Sequence, residues 1–383
     1  MKKIYRLIFI GLFLEFIVFF SVFLDVKKEI SLFENRSLFE KTNIKNTTDI
    51  EKYISDHIPF REDMLKIYFS TNLKMPVGIQ KILVGQDNWL FMGTNPTAYN
   101  LPVIPSYQNK EIFAQKEINQ AVHNIKRIKK WCDEHNVRLY LIFPPDKTRV
   151  YAQFMPDYIV RQNNLSPVER FVSFLPNDIT VIPIERKLID LAQKNYAQGI
   201  TKLLYYKEES HWSEEGAFLA YQELMRGIKK DFSEVKILTR DDFLIEPKSP
   251  YNPYDIGYGP KFTHGNLILP NFDMPENLYN HFEYKNIKDI KVVWDKNFKH
   301  STNSNTDTTP LNVYVIGDSF ACYLHAFLSA TFHRVRAYRF NMPGDRNAGI
   351  WFNERKKEFE EEKPDILILS ISDLKLKDLL RID

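Results

Sequence analysis

Ser319 stands in Gly317-Asp318-Ser319-Phe320, which follows the alternating apolar run Val313-Tyr314-Val315-Ile316 and precedes a helical pattern opening Ala321-Cys322-Tyr323-Leu324. A side chain at such a junction sits at the carboxyl end of a strand, where open α/β sheets hold their ligands. A serine hydroxyl there can attack an acyl group if a base takes its proton. Its backbone N–H, close to a helix N-terminus, can stabilise an oxyanion, and Asp318 can share in that or in substrate binding. The same tetrapeptide also has a plainer use, in which Asp318 or Ser319 caps the helix and Gly317 serves the turn. A nearby base would decide between the two.

Glu208-Glu209-Ser210-His211-Trp212-Ser213 offers one. In extended chain residues i and i+2 face the same side, so Glu209 can orient His211, and His211 can take the proton of Ser319. Ser213, followed by Glu214 and Glu215, reads as a helix N-cap region. Taken singly, His211 is equally a surface or cap-adjacent histidine and Glu209 a solvated charge. Trp212 can stack on a sugar ring or belong to the core.

Asp146-Lys147 follow Phe143-Pro144-Pro145 at the end of another strand pattern, where they line a cleft or form a loop ion pair. Arg339 and Arg346 follow the strand after Ser319 and face either the site or solvent. His57, in Asp56-His57-Ile58-Pro59-Phe60-Arg61, reads as a histidine fixing an arm. The two cysteines, Cys132 and Cys322, show neither a Cys-x-x-Cys nor a metal-ligand spacing, so no metal, cofactor or disulfide is expected.

These residues need a scaffold, and the hydropathy pattern supplies an α/β one. Strand-like runs occur at 137–143, 179–184, 311–316, 335–340 and 366–371. Amphipathic helical patterns occupy 112–136, 184–196, 213–230, 321–332 and 349–362. Strands alternating with such helices predict a mostly parallel sheet covered on both faces, a three-layer α/β/α arrangement. Between Arg240 and Pro310 the alternation lapses into Pro, Asn, Tyr and Gly, which predicts a loop-rich insertion at about 241–310 ending in a mobile polar loop at 299–310. Residues 29–100 read as an irregular arm with short helices, and 101–383 as the catalytic domain.

The chain has 383 residues, 44% of them hydrophobic, with 52 basic and 49 acidic side chains for a net charge of +3. No field of one sign is available to gather nucleic acid. Met1-Lys2-Lys3-Ile4-Tyr5-Arg6 precedes an almost wholly apolar run from Leu7 to Leu24, about eighteen residues and near the thickness of a bilayer core. No Ala-x-Ala-like cleavage site follows. Residues 1–28 are therefore expected to form an uncleaved single-pass anchor with the N-terminus in the cytoplasm, which places the body of the protein outside the cytoplasmic membrane.

Gly317-Asp318-Ser319 at a strand-turn-helix junction, together with the acidic-x-His-Trp element Glu209-Ser210-His211-Trp212, resembles the SGNH hydrolase-like polysaccharide O-acetyltransferases similar to the alginate acetylation proteins AlgJ and AlgX. In that family, as here, the acidic-x-His element precedes the serine. Glu34-Asn35-Arg36, the 56–62 stretch, Gly85 to Phe91, Pro145-Asp146-Lys147 with Tyr151, and Lys363 to Leu369 share its flavour. The resemblance implies an SGNH-like fold with permuted catalytic elements, Ser319 as nucleophile, His211 as base and Glu209 as orienting acid. Glu209 departs from the family's usual Asp. It further implies acetylation of an extracytoplasmic polysaccharide through an acetyl-serine, with the acetyl group delivered by a membrane-bound O-acyltransferase. A carbohydrate acetylesterase with the same site and a non-catalytic glycan-binding scaffold of an export complex are the rival expectations.

Overall fold

The computed structural model describes residues 30–31, 36–57, 82–93, 101–207, 209–248, 278–295, 298–339 and 351–381. The apolar run at Leu7 to Leu24 lies outside them, and among the described residues no helix is long and apolar enough to cross a membrane. By its contacts the chain divides into Met1–Gln80 with Leu269–Met274, and Lys81–Ile268 with Pro275–Asp383. Residues 81–93, read from sequence as part of the arm, thus fall in the second unit.

In the first unit the short strands β1 (Ile30–Ser31) and β2 (Arg36–Ser37) pair antiparallel. Helix α1 (Thr47–Asp56) starts where the Asn46 side chain accepts from Asp49 N at 3.0 Å. It ends at His57, whose Nδ1 donates to Tyr53 O at 2.9 Å while its ring stacks on Tyr53. Asp56 accepts from Phe39 N at 2.8 Å. These bonds close a helix end, a local structural use for His57.

The second unit opens with the antiparallel hairpin β3 (Ile82–Val84) and β4 (Leu90–Met92). Helix α2 (Gln115–Glu134) buries Ile118, Ala121, Ile125, Ile128 and Cys132 at three- and four-residue spacing. It stops at Asn136, whose φ of 57° lies in the left-handed region that asparagine tolerates. There follow β5 (Arg138–Ile142), the short helix α3 (Lys147–Val150), β6 (Thr180–Ile182), α4 (Glu185–Ala197) and α5 (Glu214–Ile228). The chain continues with β7 (Phe243–Lys248), β8 (Tyr279–Tyr284), β9 (Ile290–Asp295), β10 (Phe298–Asn303), β11 (Thr309–Gly317), α6 (Ala321–Thr331), β12 (Phe332–Arg339), α7 (Trp351–Glu362) and β13 (Ile366–Ser370).

Seven strands form one sheet in the order β6-β5-β13-β11-β12-β10-β9. The first five are parallel to one another, and β10 and β9 extend the edge antiparallel. Along β5, β11 and β13 successive side chains alternate faces. Leu139, Leu141, Tyr314, Ile316, Leu367 and Leu369 join Ile125, Trp131, Phe352 and Phe359 in one cluster. On the opposite face Tyr140 donates to Asp231 just beyond α5. Apolar residues on both faces of each central strand are what the uninterrupted hydrophobic runs required.

The expected α/β architecture is therefore present, as a mixed sheet. The expected mobile loop at 299–310 is not. Residues 298–303 are strand β10, hydrogen-bonded on both sides, and the supposed insertion also contains β7, β8 and β9. The reason is chemical: the inward positions of β10 are Ser301 and Asn303, each almost fully buried. Ser301 Oγ lies 2.6 Å from Ser329 Oγ, and Asn303 Nδ2 donates to Ser329 O at 3.0 Å. A buried face built from hydrogen-bonded polar groups carries no hydropathy signal.

Candidate active site

Strand β11 ends at Gly317, where a Cβ would lie 2.4 Å from Ala321 Cβ and 2.9 Å from Ser370 O. Glycine lets the first turn of α6 and the end of β13 close on the same point. Asp318, fully buried, then fastens the turn. Its N–H donates to Ser370 O at 3.1 Å, Oδ1 accepts from Phe320 N at 3.0 Å, and Oδ2 accepts from Ser372 N at 2.8 Å. Ser319 follows with its hydroxyl at the carboxyl end of the sheet, 8% exposed.

Residues 204–213 fold back on themselves, with Ser213 N donating to Leu204 O at 2.9 Å, Tyr206 N to His211 O at 3.3 Å, and a bridge between Tyr205 and Trp212. Ser213 then starts α5, accepting from Gly216 N at 3.4 Å and donating to Leu203 O at 2.6 Å. At the tip the Glu209 carboxylate accepts from His211 N at 2.7 Å, and its two oxygens lie 2.7 and 2.9 Å from His211 Nδ1. The opposite ring nitrogen, Nε2, is 2.6 Å from Ser319 Oγ. With Nδ1–H donating to a carboxylate, Nε2 is left as the acceptor for the serine proton. The imidazole rests against Phe320, ring centres 4.9 Å apart. Burial pushes the Glu209 carboxyl up. The opposing pull of His211, through charge and hydrogen bonds, with the Lys147 charge added, is larger and holds its pKa below the ordinary value.

Ser319, His211 and Glu209, chosen from sequence, are thus brought into one hydrogen-bonded chain that can remove a proton from a hydroxyl. Glu208 lies outside the described residues. The four accessory residues fare differently. Asp318 spends its carboxylate bracing the turn. Trp212 is fully buried, packed edge-on against Phe320, so its ring has no face to offer a sugar. Lys147 is 1% exposed and donates to the carbonyls of Tyr206, Lys207 and Glu209 at 2.9, 2.9 and 2.8 Å. It grips the back of the histidine loop instead of lining a cleft. Arg339 closes β12 beside Gly317, its side chain outside the described part, and Arg346 is outside it altogether. Asp146 caps α3, accepting from Thr148 N at 2.9 Å and Thr148 Oγ1 at 2.6 Å.

Sequence reasoning missed the braces. The N–H of Lys207 donates to Tyr279 Oη at 2.9 Å and that of Leu90 to Lys207 O at 3.1 Å. Glu214, in the first turn of α5, accepts from Phe282 N at 2.7 Å and pairs with His281, tying down β8. Each partner is more than sixty positions away, beyond any local pattern. Neither Cys132 nor Cys322 is in a disulfide. Among the described residues no group of three His, Cys, Asp or Glu side chains is placed to hold a metal.

Comparison with known proteins gives the arrangement a context. Residues 82–253 match the family model for ALGX, the SGNH hydrolase-like domain of acetyltransferase AlgX. The match contains Glu209 and His211, and Ser319 lies beyond it. Among solved structures, Bacillus cereus PatB1 is similar at 18% identity with a TM-score of 0.56, covering 79% of this chain and 99% of that one. PatB1 with a sulfonyl adduct gives 17% and 0.55 at the same coverage. The O-acetyltransferase domain of Pseudomonas putida AlgJ gives 16% and 0.45, covering 78% and 92%. At these identities the PatB1 likeness is one of fold. No curated protein matches the chain. Residues 82–253 thus match the SGNH hydrolase-like domain of acetyltransferase AlgX, and the described residues share the PatB1 fold.

Proposed function

We propose that this chain is a serine-dependent O-acetyltransferase that acetylates hydroxyl groups of an extracytoplasmic polysaccharide. The observation that carries the reading is the continuous chain from Glu209 through His211 to Ser319 Oγ, ending in a 2.6 Å contact. The acetyltransferase named in the matching family model supports the reaction class.

His211 Nε2 accepts the Ser319 proton as Oγ attacks the acetyl carbonyl of the donor, and the imidazolium is stabilised by Glu209. Collapse of the tetrahedral intermediate breaks the bond to the donor's leaving group, which takes the proton from His211, and leaves acetyl-Ser319. A sugar hydroxyl then gives its proton to His211 and attacks the acetyl carbon, and Ser319 Oγ departs with that proton. Glu209 stays ionised throughout. Phe320 N–H donates to Asp318 and is not at the oxyanion's disposal.

The apolar run at Leu7 to Leu24 supports a membrane anchor, with the catalytic body on the extracytoplasmic (periplasmic) side and the acetyl donor supplied by a membrane-bound O-acyltransferase. The test offers 4-nitrophenyl acetate with a panel of oligosaccharides to wild type and Ser319→Ala. Wild type is expected to release nitrophenol, accumulate an acetylated Ser319 peptide and acetylate at least one glycan, and Ser319→Ala to do none of these. Nitrophenol release without acetylated glycan would make the protein an esterase. Neither activity from the wild type would leave a non-catalytic role.

A further inference from the structure

Lys147 follows the N-cap Asp146 as the first residue of α3, a place where the helix dipole disfavours a cation. Its ammonium is nonetheless buried, and a buried charge persists only where it is bonded. The group has three N–H donors, and three carbonyl oxygens receive them, those of Tyr206, Lys207 and Glu209. All three belong to the loop that carries the candidate base. The rings of Trp89 and Phe91 flank the ammonium, their centres 5.8 and 5.4 Å from Nζ. Asp146, the residue before it, gives its carboxylate to Thr148.

We infer that Lys147 is a positioning residue for the reaction proposed above. It threads the 206–209 backbone onto one point and so aims the Glu209 carboxylate at His211 and His211 at Ser319. The inference rests on the reading of Ser319, His211 and Glu209 as the reacting chain. Its bond to this chain of residues is to the carbonyl of Glu209, and it acts through that backbone. A compact ammonium suits three carbonyls converging on one point, whereas the planar fork of arginine directs its donors apart. The Lys147 charge is one of the influences that pull the Glu209 pKa down, so removing it makes Glu209 easier to protonate.

The test needs no knowledge of the glycan. The rate at which phenylmethylsulfonyl fluoride modifies Ser319 is followed by intact mass from pH 5 to 9, with the kcat and KM for 4-nitrophenyl acetate measured beside it. Lys147→Met is expected to slow both reactions by about 10²-fold, the scale of an ångström-sized misplacement, with KM nearly unchanged. Lys147→Arg, which keeps the charge and loses the three-way grip, should also be slow, again with KM nearly unchanged. It decides the matter if Lys147→Met does not fold. Lys147→Met reacting at the wild-type rate, Lys147→Arg reacting at the wild-type rate, or a loss in Lys147→Met that falls on KM with kcat unchanged would each overturn the inference. Ser319→Ala, run in parallel, separates this failure from the larger one: if it is sulfonylated and turns over like wild type, the nucleophile assignment itself falls.

Discussion

Glu209 holds its charge in a place where burial alone would neutralise it, because His211 presents both a backbone N–H and Nδ1 to its carboxylate. Its folded pKa is depressed, so the ionised, orienting form and the stability it brings are present above the ordinary carboxylate range and lost as pH falls through the folded value. Glu209→Gln keeps the shape and removes the charge. The expected loss in kcat is about 10²–10⁴-fold, the range associated with a lost orienting carboxylate, measured with an acetyl ester at pH 7.5. Glu209→Asp should retain more activity, since it keeps the charge and loses only reach. Asp373 presents the opposite case. It is fully buried, and among the described residues no hydrogen bond of ordinary geometry reaches either carboxylate oxygen. Burial first, and then the nearby Asp146, hold its pKa well above the usual range. The folded state therefore binds this proton more tightly than the unfolded chain, and stability is full below the unfolded value and erodes as pH rises toward the folded one. Asp373→Asn removes that erosion. Its Tm should exceed that of wild type by a few degrees at pH 8, with the gap closing by pH 4 in thermal melts. A gap that widens toward acid would contradict the assignment.

Among the elements, the β11-turn-α6 unit matters most, because its geometry leaves room for nothing larger than glycine at 317. Gly317→Ala drives a methyl group into Ala321 and the Ser370 carbonyl, so α6 or the end of β13 must yield. Overpacking of this kind costs about 1–3 kcal/mol, read as a lower urea midpoint at unchanged slope. Because Ser319 lies two residues on, sulfonylation should slow in the same variant while it is still folded. The periodicity of these elements was plain in the sequence, as Val313 to Ile316 and Ala321 to Leu328 show. Strand β10 was not, since Ser301 and Asn303 face inward through hydrogen bonds and look like loop residues to any hydropathy count. The hairpin of β7 and β8 was equally hidden. Among its anchors are Glu214 and Glu215, which first-turn acidic residues on a helix mask as ordinary dipole partners.

At the scale of the molecule, β13 and β11 lie at the centre of the sheet, every residue of β13 buried, while β9 forms the edge with Val292 and Val293 40% and 48% exposed. Local opening should follow that gradient. In hydrogen exchange followed by mass spectrometry, peptides from 366–370 are expected to be the slowest of the sheet and those from 290–295 the fastest. The sequence by itself determined the α/β class, the five parallel strands and the three residues of the candidate site. These depend on local periodicity and on residue types at element boundaries, which are properties of neighbours along the chain. Tertiary structure alone decided the strand order, which sets His211 beside a serine 108 positions away. It also decided that Asp318 braces a turn, that Trp212 is core, and that Lys147 grips the histidine loop, since burial and hydrogen-bond partnership depend on what the fold brings from elsewhere.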